Sequence, residues 1–450
     1  MPILSVGQPI PALRQALEAV PVEEKGQPLF LLRDLEDIAP QAVALSPAGL
    51  ALATNFDGKR SAAEVAALFA KDTGHLLKAE EILGLAQGLE KGLLLETPET
   101  VERRRRALQE FHDAPVRKAS AAGRAYPDER LALSKHLGRF FKDPKGPGRE
   151  FACEPAATAP AVSEVPHLRE RRPAGRISLR PAPLGLVAPH IDFERGGPVY
   201  AWSYQALSES RPPDAVVALG VAHMSPNSPW VMTPKAFATP FGDVALHQGL
   251  YDELRSSLWY DPRDDEWVHR SEHSLELQAV WLRYLWREKT PPWVPILVSS
   301  FERFAIEQPP SQVEMVEGAL KKMGEALRRR AQKGERILVL AGVDLSHVGP
   351  RFGDREDVTP EARKLVEEKD RAVLEHALRL EADEFYRSVV SDGNQRKVCG
   401  LSALYTALRL IKALAPEAPG AGRLLAYGQA DDPAGGVVSF ASAMFPASRE

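Results

Sequence analysis

The sequences LGLVAPH at residues 184–190 and AVVALGVAH at residues 215–223 share one pattern. Each is a continuous apolar run of strand length that ends at a histidine, His190 or His223. Runs of this kind are typical of strands that are buried on both faces of a sheet. The two stretches therefore predict interior strands of a sheet that is covered by helices on both sides.

Further apolar runs follow, and stretches with helical periodicity lie between several of them. Strands are predicted at residues 184–188, 215–219, 294–298, 337–341 and 437–441, and helices at residues 246–258, 271–286, 313–330, 359–380 and 401–414. This alternation predicts an α/β domain over residues 181–450, with a mixed sheet flanked by helices. In such sheets, functional sites form outside the carboxyl ends of the strands.

Histidines stand at several of these predicted strand ends. His347 ends the stretch Asp344-Leu-Ser-His347, as His190 and His223 end theirs. A single histidine at a strand end is usually a capping or packing residue, but three that converge predict a site. His273 and His269 form the sequence HRSEH, in which Glu272 does not follow the first histidine as zinc peptidases require. We therefore expect His273 at the crevice but no peptidase chemistry.

The two cysteines need separate interpretations. Cys399 and Gly400 precede the predicted helix at residues 401–414, and a thiol at a helix N-terminus has a lowered pKa that favours the reactive thiolate. The alternative for Cys399 is a buried small hydrophobic residue. Cys153 has no histidine or cysteine at ligand spacing and is interpreted as a bystander thiol.

Residues 1–100 predict a small helical or winged-helix-type domain. Ser61 and Glu64 form a capping box at the start of one helix, a second helix fits residues 78–91, and Leu93–Leu95 reads as a short strand. Residues 30–99, with the turn Asp57-Gly58, resemble PqqD-like domains, which are small modules that bind peptides in peptide-modification systems. The alternative is a plain helical packing domain.

Residues 101–180 predict a basic connector rich in alanine and proline. It contains the run Arg103–Arg106 and a second basic cluster at Arg169, Arg171 and Arg172. Blocks of like charge usually form a solvated helix face or tail, and an acidic-partner or nucleic-acid site is the alternative.

Composition excludes several classes of function. The formal net charge of −4 over 450 residues gives no global attraction to nucleic acid or anionic membranes. The N-terminal sequence has no secretory-signal pattern, and no stretch approaches the roughly 20 apolar residues of a membrane span. We therefore expect a cytoplasmic protein with no nucleic-acid or membrane partner.

Several short motifs, taken in order, indicate a family. They are His190 in Ala-Pro-His, His223 in Gly-x-x-His, Pro240-Phe-Gly-Asp243, His269, Glu272-His273-Ser274-Leu275-Glu276, Pro295-Ile296, Asp344-x-Ser-His347 and Cys399-Gly400. This order resembles the Memo family, the protein B of the bacterial AmmeMemoRadiSam system, over residues 181–446. The family fold is similar to that of class III extradiol dioxygenases, which hold non-haem iron. The resemblance implies metal ligation by His190, His223 and Cys399, with His273, Asp344 and His347 lining the same pocket as catalytic candidates.

One stretch departs from the family pattern. After Pro189-His190 this chain continues IDFERGG at residues 191–197. We therefore expect an altered pocket rim, where Asp192 and Arg195 either bind a ligand or pair with each other. The departure leaves the substrate undetermined.

The ligand chemistry limits the mechanism. Extradiol enzymes hold iron(II) with two histidines and one carboxylate, whereas a thiolate would replace the carboxylate here. Iron(II) is the expected metal, with copper and zinc as alternatives. His273 or His347, oriented by Asp344, would be the general acid or base.

Two classes of function remain open from the sequence. The first is a metal-dependent redox enzyme of dioxygenase-like type in a peptide or protein modification system. Its expected partners are a peptide and the radical S-adenosylmethionine and AMMECR-type proteins of that system. The second is a non-catalytic adaptor that binds a metal or a peptide.

Overall fold

The structure is a computed structural model that describes residues 4–148, 180–303, 308–415 and 421–447. Cys153 and the basic cluster at Arg169, Arg171 and Arg172 lie outside these ranges. The strands are β1 Leu17–Glu24, β2 Gln27–Asp34, β3 Val43–Leu45, β4 Val116–Arg117, β5 Gly185–Ala188, β6 Ala215–Val221, β7 Trp230–Met232, β8 Ala236–Phe237, β9 Trp293–Val298, β10 Ile337–Gly342, β11 Asp344–Val348, β12 Arg423–Asp432 and β13 Gly436–Phe445. The α-helices are α1 Pro47–Ala53, α2 Ala62–Thr73, α3 Ala79–Lys91, α4 Pro98–Asp113, α5 Arg130–Phe140, α6 Phe193–Ser208, α7 Gln248–Arg255, α8 Ser274–Trp286, α9 Glu314–Gln332, α10 Pro360–Leu378, α11 Ala382–Val390 and α12 Leu401–Leu414.

The central sheet is mixed, as predicted. Among the described residues it has eight strands in the order β11-β13-β5-β10-β6-β9-β7, and β12 also pairs with β13. β5, β10, β6 and β9 are parallel, whereas β7, β11, β12 and β13 pair antiparallel with their neighbours. The carboxyl ends of β5, β10 and β6 therefore lie side by side, and His190, Asp344 and His223 follow them.

Helices cover both faces of this sheet. In β6, Val217 and Leu219 face a core shared with α7, α9, α11 and α12, whereas Val216 and Ala218 face a core shared with α5, α6 and α8. This two-sided burial explains why the interior strands are apolar at every position.

The predicted strands and helices of the C-terminal half are present, with shifted ends. The sequence pattern does not predict α6, α11 or β12. The stretch Asp344–His347 was expected to end the strand that begins near residue 337, and this prediction was wrong. β10 ends at Gly342, and Asp344–Val348 forms the separate strand β11, which pairs with β13.

The N-terminal unit contains a sheet as well as helices. β1, β2 and β3 form an antiparallel sheet that packs on α1, α2 and α3 around one apolar core. The capping box of Ser61 and Glu64 is confirmed at the start of α2. The prediction of a short strand at Leu93–Leu95 was wrong. Leu93 has a positive φ of 59°, and Leu95 forms only an isolated bridge with Leu13.

The basic run Arg103–Arg106 lies on helix α4. Arg105 and Arg106 pair with Glu102 on the same helix, and Arg104 pairs with Glu36 of the N-terminal unit. These contacts agree with the predicted solvated helix face.

Part of the predicted connector packs into the C-terminal half of the molecule. β4 pairs with β8, and α5 contributes Leu133, Leu137 and Phe140 to the core shared with α6 and α8. The domain limits at residues 100 and 180 remain predictions, but this segment shares a core with the central sheet.

Within the described ranges, no helix combines the length and the apolar character needed to cross a membrane.

Candidate metal centre

His190 lies two residues beyond β5 and is buried. Its Nδ1 is 3.0 Å from the carbonyl oxygen of Gly342, the last residue of β10. Since a carbonyl can only accept, Nδ1 carries a proton and Nε2 remains for the site. The Asp344 carboxylate accepts from the backbone N–H of His190 at 2.9 Å and lies 3.6 Å from Nε2. The ring is thus fixed from two sides.

His223 follows β6 in the same way, and a buried carboxylate holds its ring. Nδ1 of His223 lies 2.9 Å and 3.1 Å from the two oxygens of Glu272, and its backbone N–H donates to Glu272 Oε2 at 3.1 Å. Because Nδ1 is occupied, Nε2 is the nitrogen left for the hydrogen bond between His223 and Cys399. About a third of the His223 side chain, 35%, is exposed, so the site reaches solvent here.

Cys399 stands directly before Gly400, the N-cap of α12. Its Sγ is 3.4 Å from His190 Nε2 and 3.8 Å from the carbonyl oxygen of Asp344. Gly400 allows this approach, because a Cβ there would lie 2.5 Å from the Asp344 carbonyl oxygen and 2.7 Å from Cβ of Val343. The loop before α12 therefore packs tightly on the start of β11 and delivers the thiol to the imidazoles.

The structure brings together the three residues that the resemblance implies as ligands. One donor atom each of His190, His223 and Cys399 lies within 4.8 Å of the other two. The two rings meet edge to face, with centroids 5.1 Å apart and planes at 83°. Two imidazole nitrogens and a sulfur at this separation could hold one metal ion.

Electrostatics in the cluster favour a thiolate. Burial opposes ionisation of Cys399, but the neighbouring His190 and His347 outweigh it and lower the pKa of the thiol to about 5. Burial also opposes the charge on His190, but Asp344 and Cys399 raise its pKa to about 9. The pKa of His223 is raised well above its usual value, since Glu272 and Cys399 outweigh burial. These imidazoles therefore favour the thiolate in addition to the expected effect of the helix N-terminus.

His273 and His347 line the same region from different elements. His273 is the N-cap of α8, and its ring stacks on His223 at 5.0 Å and lies 5.6 Å from His190. His347 lies in β11, where its backbone N–H donates to the carbonyl of Arg396 at 2.7 Å. The centroid of its ring is 5.1 Å from that of Phe352. Both side chains are partly exposed and can meet a ligand.

Asp344 contacts a different histidine from the one expected. The sequence argument gives it the role of orienting His273 or His347. In the structure its carboxylate contacts His190, and Nδ1 of His347 lies 3.2 Å from the carbonyl oxygen of Leu345. Asp344 therefore supports a candidate ligand rather than a candidate acid or base.

Two other sequence candidates lie apart from the donor cluster. His269 is buried in a short 3-10 helix and donates from Nε2 to the carbonyl of Val231 at 3.0 Å. Asp192 pairs with Arg195 at 2.6 Å and caps α6 by accepting the backbone N–H of Arg195. Of the two readings offered for Asp192 and Arg195, the structure shows the mutual pair.

Sequence reasoning missed two supporting residues. Glu272 entered the sequence argument against peptidase chemistry and as part of a family motif, but it was given no role at the site. Arg117 carried no signal, since its partner Glu276 is 159 positions away. The side chains of Arg117 and Glu276 are fully buried. Arg117 also donates to the carbonyls of His269 and Glu272 at 2.8 Å each. Arg117 thereby fixes the backbone that presents His273.

A second group, His223, Glu272 and His273, also has donor atoms within 4.8 Å of one another. The oxygens of Glu272 already accept from two N–H groups of His223 and from the backbone N–H of Ser274 at 2.9 Å. This carboxylate has little capacity left for a metal ion, so the group supports the first cluster instead.

Comparison with known proteins identifies the family of this chain. The family model described as Memo-like protein matches residues 117–444, which is more than half of the chain. The chain belongs to the Memo-like family. The matched range contains all six candidate site residues of this chain. It begins at the buried Arg117, whereas the sequence motifs suggested a start at residue 181.

Memo-like relatives cover most of this chain. A "MEMO1 family protein" of Aquifex aeolicus is 26% identical over 417 residues, which is 92% of this chain and 96% of the relative. A "MEMO1 family protein" of Thermus thermophilus is 29% identical over 345 residues, which is 76% of this chain and 87% of the relative.

Proposed function

We propose that this Memo-like protein binds a transition-metal ion through His190, His223 and Cys399 and uses it in redox chemistry of dioxygenase-like type. The orientation of the two imidazoles carries this proposal. Each has Nδ1 fixed by an acceptor, the carbonyl of Gly342 or the carboxylate of Glu272. Nε2 of His190 lies 3.4 Å from the thiol, and a donor atom of His223 lies within 4.8 Å of the donor atoms of both residues. This is the arrangement by which proteins fix the tautomer and direction of metal-binding histidines.

The donor set fits a metal ion in its chemistry. A thiolate and two imidazoles suit iron, copper and zinc, whereas magnesium and calcium prefer oxygen donors. The lowered pKa of Cys399, about 5, supplies the anionic sulfur at neutral pH. We take iron(II) as the expected metal, with copper and zinc as alternatives.

The residues around the donors can handle protons. Iron(II), when bound, would supply electron-transfer chemistry with dioxygen as the oxidant. His273 is 44% exposed beside His223. Burial and the neighbouring His223 and His190 lower its pKa to about 4, so the neutral ring can take a proton from a bound substrate. His347 can do the same from β11, and Asp344 keeps His190 in place.

The substrate proposed here is peptide-borne. The N-terminal unit reaches the site, since the hydroxyl of Ser271 donates to the carbonyl of Leu35 at 2.7 Å and lies 3.8 Å from the sulfur of Met224, next to His223. A peptide held by that unit would meet His223 and His273. Radical S-adenosylmethionine and AMMECR-type proteins are the proposed partners in such a modification system.

A non-catalytic adaptor is the second candidate. His223 and His273 are partly exposed, so a metal ion or the end of a peptide could bind there without reacting, and this favours the adaptor.

Metal content and dioxygen consumption separate these candidates. Iron(II)-loaded full-length protein should contain about one metal per chain and consume dioxygen in the presence of a peptide substrate. Stoichiometric metal without turnover over a panel of peptides would support the adaptor. Absence of stoichiometric iron, copper or zinc would contradict the enzyme and the metal-binding form of the adaptor.

A further inference from the structure

Two imidazoles surround the same carboxylate at the site. The rings of His223 and His273 stack with their centroids 5.0 Å apart and their planes at 15°. Both side chains are partly exposed, and both place Nδ1 near Glu272. Their rings lie at similar distances from His190, 5.1 Å and 5.6 Å. Among the described residues, His223 has a donor atom within 4.8 Å of those of both His190 and Cys399, whereas His273 forms such a group with His223 and Glu272 instead.

Glu272 treats the two imidazoles unequally. It accepts from Nδ1 of His223 at 2.9 Å and from the backbone N–H of His223 at 3.1 Å. Nδ1 of His273 lies 3.3 Å from Oε1, the oxygen that also accepts from the N–H of Ser274 at 2.9 Å. Ring and backbone of His223 are thus held together by one buried side chain.

We propose that Glu272 holds His223 in place as a metal ligand, while His273 remains a free imidazole beside the metal position. By accepting the Nδ1 proton, Glu272 fixes the tautomer in which Nε2 of His223 is the donor. This inference rests on the metal-binding function proposed above and adds the residue that positions the His223 ring. Glu272 is a positioning residue in this scheme.

An apolar side chain of similar size tests the role of the carboxylate. Three N–H groups point at the two oxygens of Glu272, two from His223 and one from Ser274. A glutamine could keep both N–H groups of His223 on its amide oxygen, because both point at Oε2, so it would not test the contact. Glu272→Leu has no acceptor and should therefore release the His223 ring.

The test uses zinc(II) as the probe on the full-length chain, with nitrogen-15 NMR of the histidine rings. Glu272→Leu should weaken zinc binding by about 10-fold to 100-fold. It should also abolish the protected Nδ1–H signal of His223. The Nδ1–H signal of His190 should persist, because the carbonyl of Gly342 holds it. A general loss of structure would remove both signals.

His273→Gln is the matched control, since it removes the stacked ring but not the contact of Glu272 with His223. It should keep zinc affinity within about threefold of wild type and both Nδ1–H signals. The proposal is overturned if His273→Gln loses as much affinity as Glu272→Leu, or if Glu272→Leu binds zinc like wild type.

The zinc-loaded wild type decides the case if Glu272→Leu does not fold. A metal-induced shift at Nε2 of His223 and none at His273 would support the proposal, and a metal-induced shift at His273 would overturn it. A wild-type protein that binds no zinc would contradict the proposed function itself.

Discussion

Cys399 supplies the sulfur of the proposed metal centre, 3.4 Å from Nε2 of His190. Cys399→Ser should weaken metal binding at least tenfold, because a hydroxyl is not a soft anionic donor. Cys153→Ser makes the same change at the other cysteine and should leave metal content unaltered. Elemental analysis of both variants checks this. Full metal retention in Cys399→Ser would remove Cys399 from the ligand set.

Gly400 controls the position of that thiol. A Cβ at this residue would lie 2.5 Å from a backbone carbonyl oxygen, so Gly400→Ala should cost about 1–3 kcal/mol of stability and lower metal affinity. Gly318 lies inside α9 with open space around its Cα, and Gly318→Ala should instead stabilise the protein by about 0.5–1 kcal/mol. Denaturant unfolding of the two variants gives the comparison. Equal effects would show that Gly400 has no packing role.

Short motifs predict which side chains gather at the site but not how they are held. His190 and His223 could be predicted because each ends a recognisable strand. The partners of their Nδ1 atoms could not, because Gly342 and Glu272 come from distant positions that only folding brings near. The contact of Asp344 with His190 depends likewise on the unpredicted separation of β10 from β11.

Helix α6 shows where element prediction from sequence fails. Gly196, Gly197 and Pro198 in its first half are typical of a turn, yet they lie in a helix. A Cβ at Gly196 would lie 2.4 Å from Ile191, and one at Gly197 would lie 2.5 Å from the ring of Phe140. The two glycines allow Ile191 and Phe140 to pack closely against α6. From a single sequence, a glycine needed for close packing looks the same as a glycine in a turn.

The 3-10 helix Glu266–Arg270 contains a buried histidine that should make the fold acid-sensitive. Burial lowers the pKa of His269 to about 3, whereas the unfolded chain titrates near 6.5. The unfolded state therefore binds the extra proton between these values, so stability falls as pH drops from about 6.5 towards 3 and is unaffected above that range.

Substitution of His269 should make the acid loss shallower. His269→Gln should reduce the slope of unfolding free energy against pH by up to about 1.4 kcal/mol per unit below pH 6.5. His75→Gln, at an exposed position, should leave the curve unchanged. Denaturant titrations at several pH values between about 4 and 7 give the slope of the unfolding free energy against pH for each variant. An unchanged slope in His269→Gln would contradict the assignment.

At the scale of the whole molecule, residues 114–141 belong with the central sheet. Arg117 neutralises the fully buried Glu276, and loss of one partner of such a pair costs about 3–5 kcal/mol. A chain that begins at residue 181 should therefore fail to fold, whereas one that begins at residue 115 keeps Arg117, Tyr126 and α5. Solubility and cooperative thermal unfolding distinguish them. Equal stability of the two chains would show that the sequence-predicted limit at residue 181 is a true domain boundary.

X-ray absorption at the zinc edge tests the metal centre most directly. Zinc-loaded full-length protein should show one sulfur at about 2.3 Å and histidine nitrogens at about 2.0–2.1 Å. The sulfur should disappear in Cys399→Ser and persist in Cys153→Ser. A wild-type shell of oxygen and nitrogen alone, with no sulfur neighbour, would contradict the assignment of His190, His223 and Cys399.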